Sequence, residues 1–171
     1  RGSAAVGGGM DTLSCRVDGS LLTSQTGTWG EGASGGAVHT ELLVVGVSGQ
    51  LQATNSVVVG NGAHGGGVRA TGLQVLRSEV SKGFMNLENV SAVQGDGGGI
   101  WCDSCKVHGD LSVQTASTQS SSSRGGAVFA RMFNLTGLCN ATFVSAGAGS
   151  GGGFFVGEMF SSQDARLRIV N

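Results

Sequence analysis

The chain contains no proline and no tyrosine, and only 12% of its 171 residues are charged. Proline removes a backbone donor, so its absence is consistent with a chain that lies mostly in fully paired strands. Because proline is missing, the 33 glycines cannot belong to a collagen triple helix. A hydrophobic fraction of 39% with so little charge also excludes an intrinsically disordered chain.

The formal net charge of −1 gives no strong attraction to nucleic acid or to an anionic membrane surface, so we expect no nucleic-acid partner. Residues 42–68 contain no aspartate, glutamate, lysine or arginine, but serine, glutamine, threonine and asparagine interrupt their apolar stretches. We therefore predict no transmembrane segment. The chain begins at Arg1 without a recognisable signal peptide, which indicates a mature product or a fragment.

An internal repeat organises the sequence. Two or three small residues followed by an apolar anchor residue occur six times, with 26 to 32 residues between successive anchors. The anchors are Met10, Val38, Val68, Ile100, Val128 and Phe154. The next residues alternate between small or apolar and mostly polar or aromatic side chains, a period of two that is typical of a strand with one buried face.

Two further strands align between repeats. The second strand places Cys15, Val45, Cys105 and Phe133 in one inward column, and a third strand follows an asparagine in several repeats. Three short strands per repeat predict an all-β fold, a single-stranded parallel β-helix of about six coils of 26–32 residues. One coil cannot bury its own inner face, so coils must stack about 4.8 Å apart. We expect residues 1–171 to form one such domain.

A family resemblance supports this prediction. The segment NSVVVGNGAHGGGV at 55–68 resembles the coil consensus of right-handed β-helix repeat proteins of the pectin-lyase-like superfamily. The two GGAV copies at 35–38 and 125–128 resemble the GGA-[ILV] repeats of polymorphic outer-membrane adhesins. The resemblance implies a right-handed coil. It is weak for function, because this architecture occurs in lyases, hydrolases, adhesins and structural fibres.

The four cysteines allow three interpretations. Cys15 and Cys105 fall in the inward column and Cys139 falls in a column of leucines, so they can be buried thiols that fill the core. Alternatively, Cys102 and Cys105 form a CxxC that can close a local disulfide. A four-cysteine zinc site normally needs a second CxxC, which is absent, so we expect no metal.

Three N-x-S/T sequons make Asn89, Asn134 and Asn140 candidate glycosylation sites. Asn89 and Asn140 align with Asn55 in a bend column, which favours an internal amide ladder at those two positions. Asn134 lies between two inward residues, so we expect it to point outward and to be the better glycan candidate.

The outward column beside the anchors contains the candidate binding residues. This column is Asp11, His39, Arg69, Trp101, Phe129 and Phe155. Three aromatic residues on consecutive coils form a contiguous strip, and such strips mark an interaction surface unless another element covers them. We therefore take Trp101, Phe129 and Phe155 as the binding residues, with a sugar ring or a protein as partner.

The 11 acidic residues are scattered, and no three-member constellation has nucleophile–base spacing. We therefore predict no catalytic residue, no cofactor and no enzyme. The expected function is a non-catalytic extracellular or cell-surface structural or adhesive module, acting as a rigid spacer or fibre element. The alternative is a polysaccharide-binding or polysaccharide-degrading protein of the pectin-lyase-like type. Neither terminus resembles a cap, so the expected partners are further copies or the rest of a longer solenoid, with glycans as another candidate.

Overall fold

The structure is a computed structural model that describes residues 7–147 and 149–170. The described residues form β1 (Met10–Val17), β2 (Ser20–Ser24), β3 (Gly27–Trp29), β4 (Val38–Val45), β5 (Gln50–His64), β6 (Val68–Val75), β7 (Phe84–Asp96), β8 (Ile100–Val107), β9 (Asp110–Thr118), β10 (Val128–Leu135), β11 (Leu138–Thr142), β12 (Phe154–Ser161) and β13 (Arg166–Val170). Among them, no helix has the length and apolarity needed to cross a bilayer.

The strands stack into a parallel β-solenoid of about six turns, as the repeat predicts. The first sheet has the order β1-β4-β6-β8-β10-β12, and the second sheet has the order β13-β11-β9-β7-β5-β2. Strand β3 pairs with the far end of β5, beyond a bend, and so begins a third side. Each sheet neighbour is one coil away in the chain, so every column of side chains runs along the solenoid axis.

The six anchors form one inward column. Met10 pairs with Val38, and the register continues through the other anchors to Phe154. The four anchors of the inner coils are fully buried, whereas the first and last are half-buried. The prediction of a single stacked anchor column is confirmed.

The predicted alignment of the second strand is wrong by two residues in one coil. Cys15 pairs with Leu43, whereas Val45 pairs with Val17. The corner after Val45 contains two more residues than the corner after Val17, since both lead to the paired leucines Leu21 and Leu51. A shift of two residues keeps the same side chains inward, so the alternation alone cannot detect it.

The predicted bend column is right for Asn55 and Asn89 and wrong for Asn140. Asn140 lies within β11 and pairs with Ser112. The bends share a residue with φ between 51° and 55° rather than an asparagine, and these residues are Gln25, Asn55, Asn89, Thr115 and Phe143. Asn89 Nδ2 donates to Asn55 Oδ1 at 2.6 Å, so an amide ladder exists between these two coils.

The glycine motif has a separate role at each position. Gly65, the first glycine of its repeat, has φ of 65°, a left-handed conformation that favours glycine. Gly66, the second, lies against the next coil, and a Cβ there would lie well under 3.0 Å from the carbonyl oxygen of Gly98. The same close approach recurs along the column, so the second glycine sets the spacing between coils.

The cysteines lie in the core. Cys102 and Cys105 form a disulfide, and both are buried on the inward side of β8. Cys15 and Cys139 are free and buried, in keeping with core-filling thiols. Burial raises the pKa of Cys15, and it raises the pKa of Cys139 to about 12, so neither thiol forms a nucleophilic thiolate near neutral pH.

Candidate functional site

The outer face of the first sheet has one continuous column of side chains, which we call the outer ladder. Its members are Asp11, His39, Arg69, Trp101, Phe129 and Phe155, each paired with the next in register. The repeat spacing predicts this order. The ladder is polar over the first three coils and aromatic over the last three.

The polar half of the outer ladder is a chain of hydrogen bonds. Arg69 Nη1 lies against His39 Nε2, and an arginine can only donate, so that nitrogen accepts. The ring proton is then on Nδ1, which donates to Asp11 Oδ1 at 2.8 Å. The guanidinium carbon of Arg69 lies 5.0 Å from the ring centroid of Trp101, which joins the polar half to the aromatic half by a cation–π contact.

The aromatic half is an offset stack. The ring centroids of Trp101 and Phe129 are 5.9 Å apart with 15° between their planes, and those of Phe129 and Phe155 are 5.4 Å apart with 7° between planes. Each ring therefore covers part of its neighbour's face. Phe129 is only 7% exposed, whereas Trp101 and Phe155 are half-buried, so the middle ring offers little surface to a partner. The cause is the coil spacing, which is close to the distance at which rings stack.

A second column flanks the aromatic stack at the corner before the glycine motif. His64 pairs with Asp96, and Arg124 follows one coil later. Asp96 is 6% exposed and accepts from Arg124 through the backbone nitrogen at 2.8 Å, Nη2 at 2.7 Å and Nε at 3.3 Å. These hydrogen bonds raise the pKa of Arg124. Its guanidinium carbon is fixed 4.7 Å from the centroid of Phe129 and 5.1 Å from that of Phe155.

His64 completes this flanking column as a neutral side chain. Its ring centroid lies 5.2 Å from that of Trp101. Burial lowers the pKa of His64, and the positive charges of Arg69 and Arg124 lower it further against the opposing effect of Asp96. Among the described residues, the buried Nδ1 of His64 has no hydrogen-bond partner, so a proton on this nitrogen would have no acceptor inside the protein.

An open groove of about 980 Å³ lies along the two columns over the last three coils. Trp101, Phe129 and Phe155 form its floor, and Asp96 and Arg124 lie on one wall. The other wall is formed by Asp103, Arg131, Met132 and Glu158. Side chains of both signs line the groove, which suits a polar ligand without strong net charge better than a highly charged one.

The sequons differ in exposure. Asn89 is exposed at its bend, where its side chain donates to Asn55. Asn134 points outward but is half-buried in β10, where it lies between its register partners Lys106 and Phe160 on the neighbouring strands. Asn140 is half-buried, and its buried Oδ1 has no hydrogen-bond partner in the part of the chain that the structure describes. Of the three, Asn89 is the most accessible for a glycan, contrary to the preference for Asn134 drawn from the alternation.

The flanking column of His64, Asp96 and Arg124 was missed at the level of sequence, although a signal for it exists. Each of these residues stands four positions before an anchor, immediately ahead of the paired glycines.

Across residues 7–147 and 149–170, no group of three His, Cys, Asp or Glu side chains could hold a metal ion. Comparison of the chain with protein-family models, curated proteins and solved structures finds no match.

Proposed function

We propose that the chain is a non-catalytic extracellular or cell-surface β-helix module with a structural or adhesive function. In this proposal the solenoid is a rigid element, and the groove along its last three coils is the contact surface. The resemblance of residues 55–68 to pectin-lyase-like coils and of the GGAV segments to adhesin repeats supports this assignment as analogy.

The observation that carries the proposal is that side chains of the groove are held in place by contacts within the chain. Arg124 is held by three hydrogen bonds to Asp96, and Phe129 is stacked on both sides. Side chains that are already ordered lose little entropy when a partner docks, which favours binding. The charged groups beside the aromatic floor, Asp96 and Arg124, are hydrogen-bonded to each other. This arrangement is typical of a recognition surface rather than of an acid–base pair positioned for reaction.

Adhesion of coated beads tests the proposal. Beads that carry the chain are applied to surfaces coated with extracellular-matrix protein, pectin or alginate, and their retention under flow is measured. We expect retention on matrix protein, and we expect M132S to reduce it because Met132 is 46% exposed on the groove wall. V80S is the matched control, since Val80 is 95% exposed outside the groove. No retention on any surface, or equal loss with both variants, would contradict the proposal.

Polysaccharide binding is the second candidate, favoured by the shape of the groove. Its floor is aromatic, and the carboxylates of Asp103 and Glu158 and the guanidinium of Arg131 provide planar hydrogen-bonding groups along one side. Such groups recognise hydroxyls, and edges of aromatic rings supply apolar contact. Retention of the beads on pectin or alginate alone would favour this candidate, and release of shortened sugar chains would identify a degrading enzyme.

A further inference from the structure

The corner between the two sheets carries an insertion in the third coil, which we call the inserted loop. Residues 76–83 connect Val75 of β6 to Phe84 of β7, eight residues where the other described coils have two or four at the same corner. The segment 77–80 is exposed throughout, and Val80 at its tip is 95% exposed. An exposed insertion in a regular solenoid is a point at which an enzyme reaches the backbone.

The inserted loop is held by a few hydrogen bonds of its own. Gly83 N donates to Leu76 O at 2.7 Å at its base, and Ser78 N donates to Ser81 O at 2.7 Å across its turn. Ser81 N also donates to the side-chain oxygen of Ser78 at 3.1 Å. No side chain of residues 77–82 is buried. The turn therefore opens without exposing apolar core, so its opening costs much less free energy than the unfolding of a coil.

The basic side chains of the described chain differ in their availability to an enzyme. Those that lie in strands are held in the ladders between coils, and they are Arg16, Arg69, Lys106, Arg131, Arg166 and Arg168. Outside the strands, Lys82 forms an ion pair with Asp110 at 2.5 Å. Arg124 is paired with Asp96 at 2.7 Å. Within the part of the chain that the structure describes, Arg77 is the one basic side chain that lies outside the strands and has neither an ion pair nor a hydrogen bond.

From these observations we propose that the peptide bond between Arg77 and Ser78 is a processing site for a serine protease that recognises arginine. Such an enzyme binds the guanidinium in a pocket with a carboxylate at its base, so the arginine side chain must be free. The serine of the enzyme attacks the carbonyl carbon of Arg77, and the amino group of Ser78 leaves with a proton. Water then hydrolyses the acyl-enzyme, and the products are residues 1–77 and residues 78–171.

The surroundings of the inserted loop leave room for an enzyme on both sides. One recess of about 810 Å³ lies between the loop and residues 163–166. A second recess of about 460 Å³ separates Arg77 and Glu79 from His108 and Thr136. A protease that holds its substrate as an extended strand needs this room, because the residues around the cleaved bond must leave the turn.

Cleavage in the inserted loop leaves the solenoid connected by its sheets. The cut separates β6 from β7, but β6 stays paired with β4 and β8, and β7 stays paired with β5 and β9. The two products also share one hydrophobic core. We therefore expect the cut protein to remain one particle, with a new amino terminus at Ser78.

Limited digestion of the folded chain with trypsin tests the site. We expect mass spectrometry to find the first cut after Arg77, and we expect the two fragments to elute together on size exclusion at the volume of the uncut chain. R77Q should lower the rate of the first cut by about tenfold or more. R131Q is the matched control, since the side chain of Arg131 is 74% exposed but lies in β10, and it should leave the rate unchanged.

Two further results separate recognition of arginine from a general change in the fold. R77K should restore cleavage at the same bond, because trypsin also accepts lysine, and circular dichroism should show R77Q to be as folded as the unmodified chain. A first cut after any other residue, including Lys82, would overturn the proposal, as would equal rates for R77Q and the unmodified chain. A chain that is cut after Arg77 but retains no beads would contradict only the adhesive proposal.

Discussion

Replacement of Gly66 by alanine should destabilise the solenoid strongly, whereas the same change at its neighbour Gly67 should be tolerated. A Cβ on Gly66 would overlap the carbonyl oxygen of Gly98 and the backbone carbonyl group of Ser91, all well under 3.0 Å away. These are backbone atoms of the next coil and cannot rotate away. A Cβ on Gly67 would lie 3.0 Å from the oxygen of Gly99 and 3.2 Å from a methyl carbon of Leu87.

The expected cost of G66A can be estimated from two terms. Inserting a methyl group into a closely packed site costs about 1–3 kcal/mol and occasionally more. Moving the coils apart also weakens the hydrogen bonds from Gly65, Gly66 and Gly67 to the next coil, which are 3.1, 3.1 and 3.0 Å long, at about 0.5–1.5 kcal/mol for each bond that is lost. We expect a total of about 3–5 kcal/mol.

For G67A the terms nearly cancel. Alanine already occupies the corresponding position of two other coils, at Ala37 and Ala127. Restricting the unfolded chain stabilises by about 0.4–1 kcal/mol, and Leu87 must shift slightly to accept the methyl group. The free energy of unfolding should therefore stay within about 1 kcal/mol of that of the unmodified chain.

Urea unfolding followed by far-UV circular dichroism, with the fluorescence of Trp101 and Trp29 as second probe, measures both variants. Coincident transitions of the two probes are required before a single free energy is assigned, because stacked coils can unfold in parts. A difference of less than about 1 kcal/mol between G66A and G67A would refute the idea that the second glycine sets the coil spacing. A large loss in G67A would refute it equally, since the control would then fail.

Three further measurements test other parts of the structure. T115N should stabilise the protein by about 1 kcal/mol, because a β-branched residue is unfavourable at φ of 52° and asparagine tolerates that region. N89T should destabilise it for the same reason, and denaturant unfolding of both variants measures the sign of each change in the free energy of unfolding. Because the pKa of His64 is lowered in the folded state, the unfolded chain binds more protons at mildly acidic pH, and the free energy of unfolding should fall as the pH decreases through the ordinary histidine pKa of about 6.5. H64Q should remove part of that fall in a pH series of melting curves, and an identical pH dependence in H64Q would contradict this. Thiol labelling of the native protein should leave Cys139 unmodified until the coil stack unfolds, because its pKa is about 12 and its side chain is fully buried, and fast labelling at neutral pH would show that it lies outside the core.

The anchors could be predicted because glycine marks the same point in every coil. Gly65 and Gly66 precede Val68 at fixed distances, and each of the other anchors has the same small residues before it. The motif is required locally by the left-handed φ of its first glycine and by the close approach of the second. A feature that the backbone needs in each coil repeats in the sequence, so the order of the outer ladder follows by counting forward from the anchors.

The corners and bends could not be predicted in the same way. Val45 and Val17 share a column although their distances to the next paired leucine differ by two residues, and alternation has a period of two. The bend of the fifth coil is at Phe143, with φ of 51°, a position for which asparagine would be the better residue. There the stacked neighbours fix the backbone against the local preference. The residues of the groove were predicted only in part for a related reason. Its flanking column lies before the glycines, where the alternation does not extend.

The scarcity of charge is explained by the columns themselves. Identical residues on adjacent coils would lie about 4.8 Å apart, where two like charges repel by roughly 1–4 kcal/mol near a protein surface. The charged side chains are accordingly placed with opposite or neutral neighbours: Lys82 with Asp110, Arg124 with Asp96, and Arg131 with Asp103. No register pair of the described strands sets two like charges side by side.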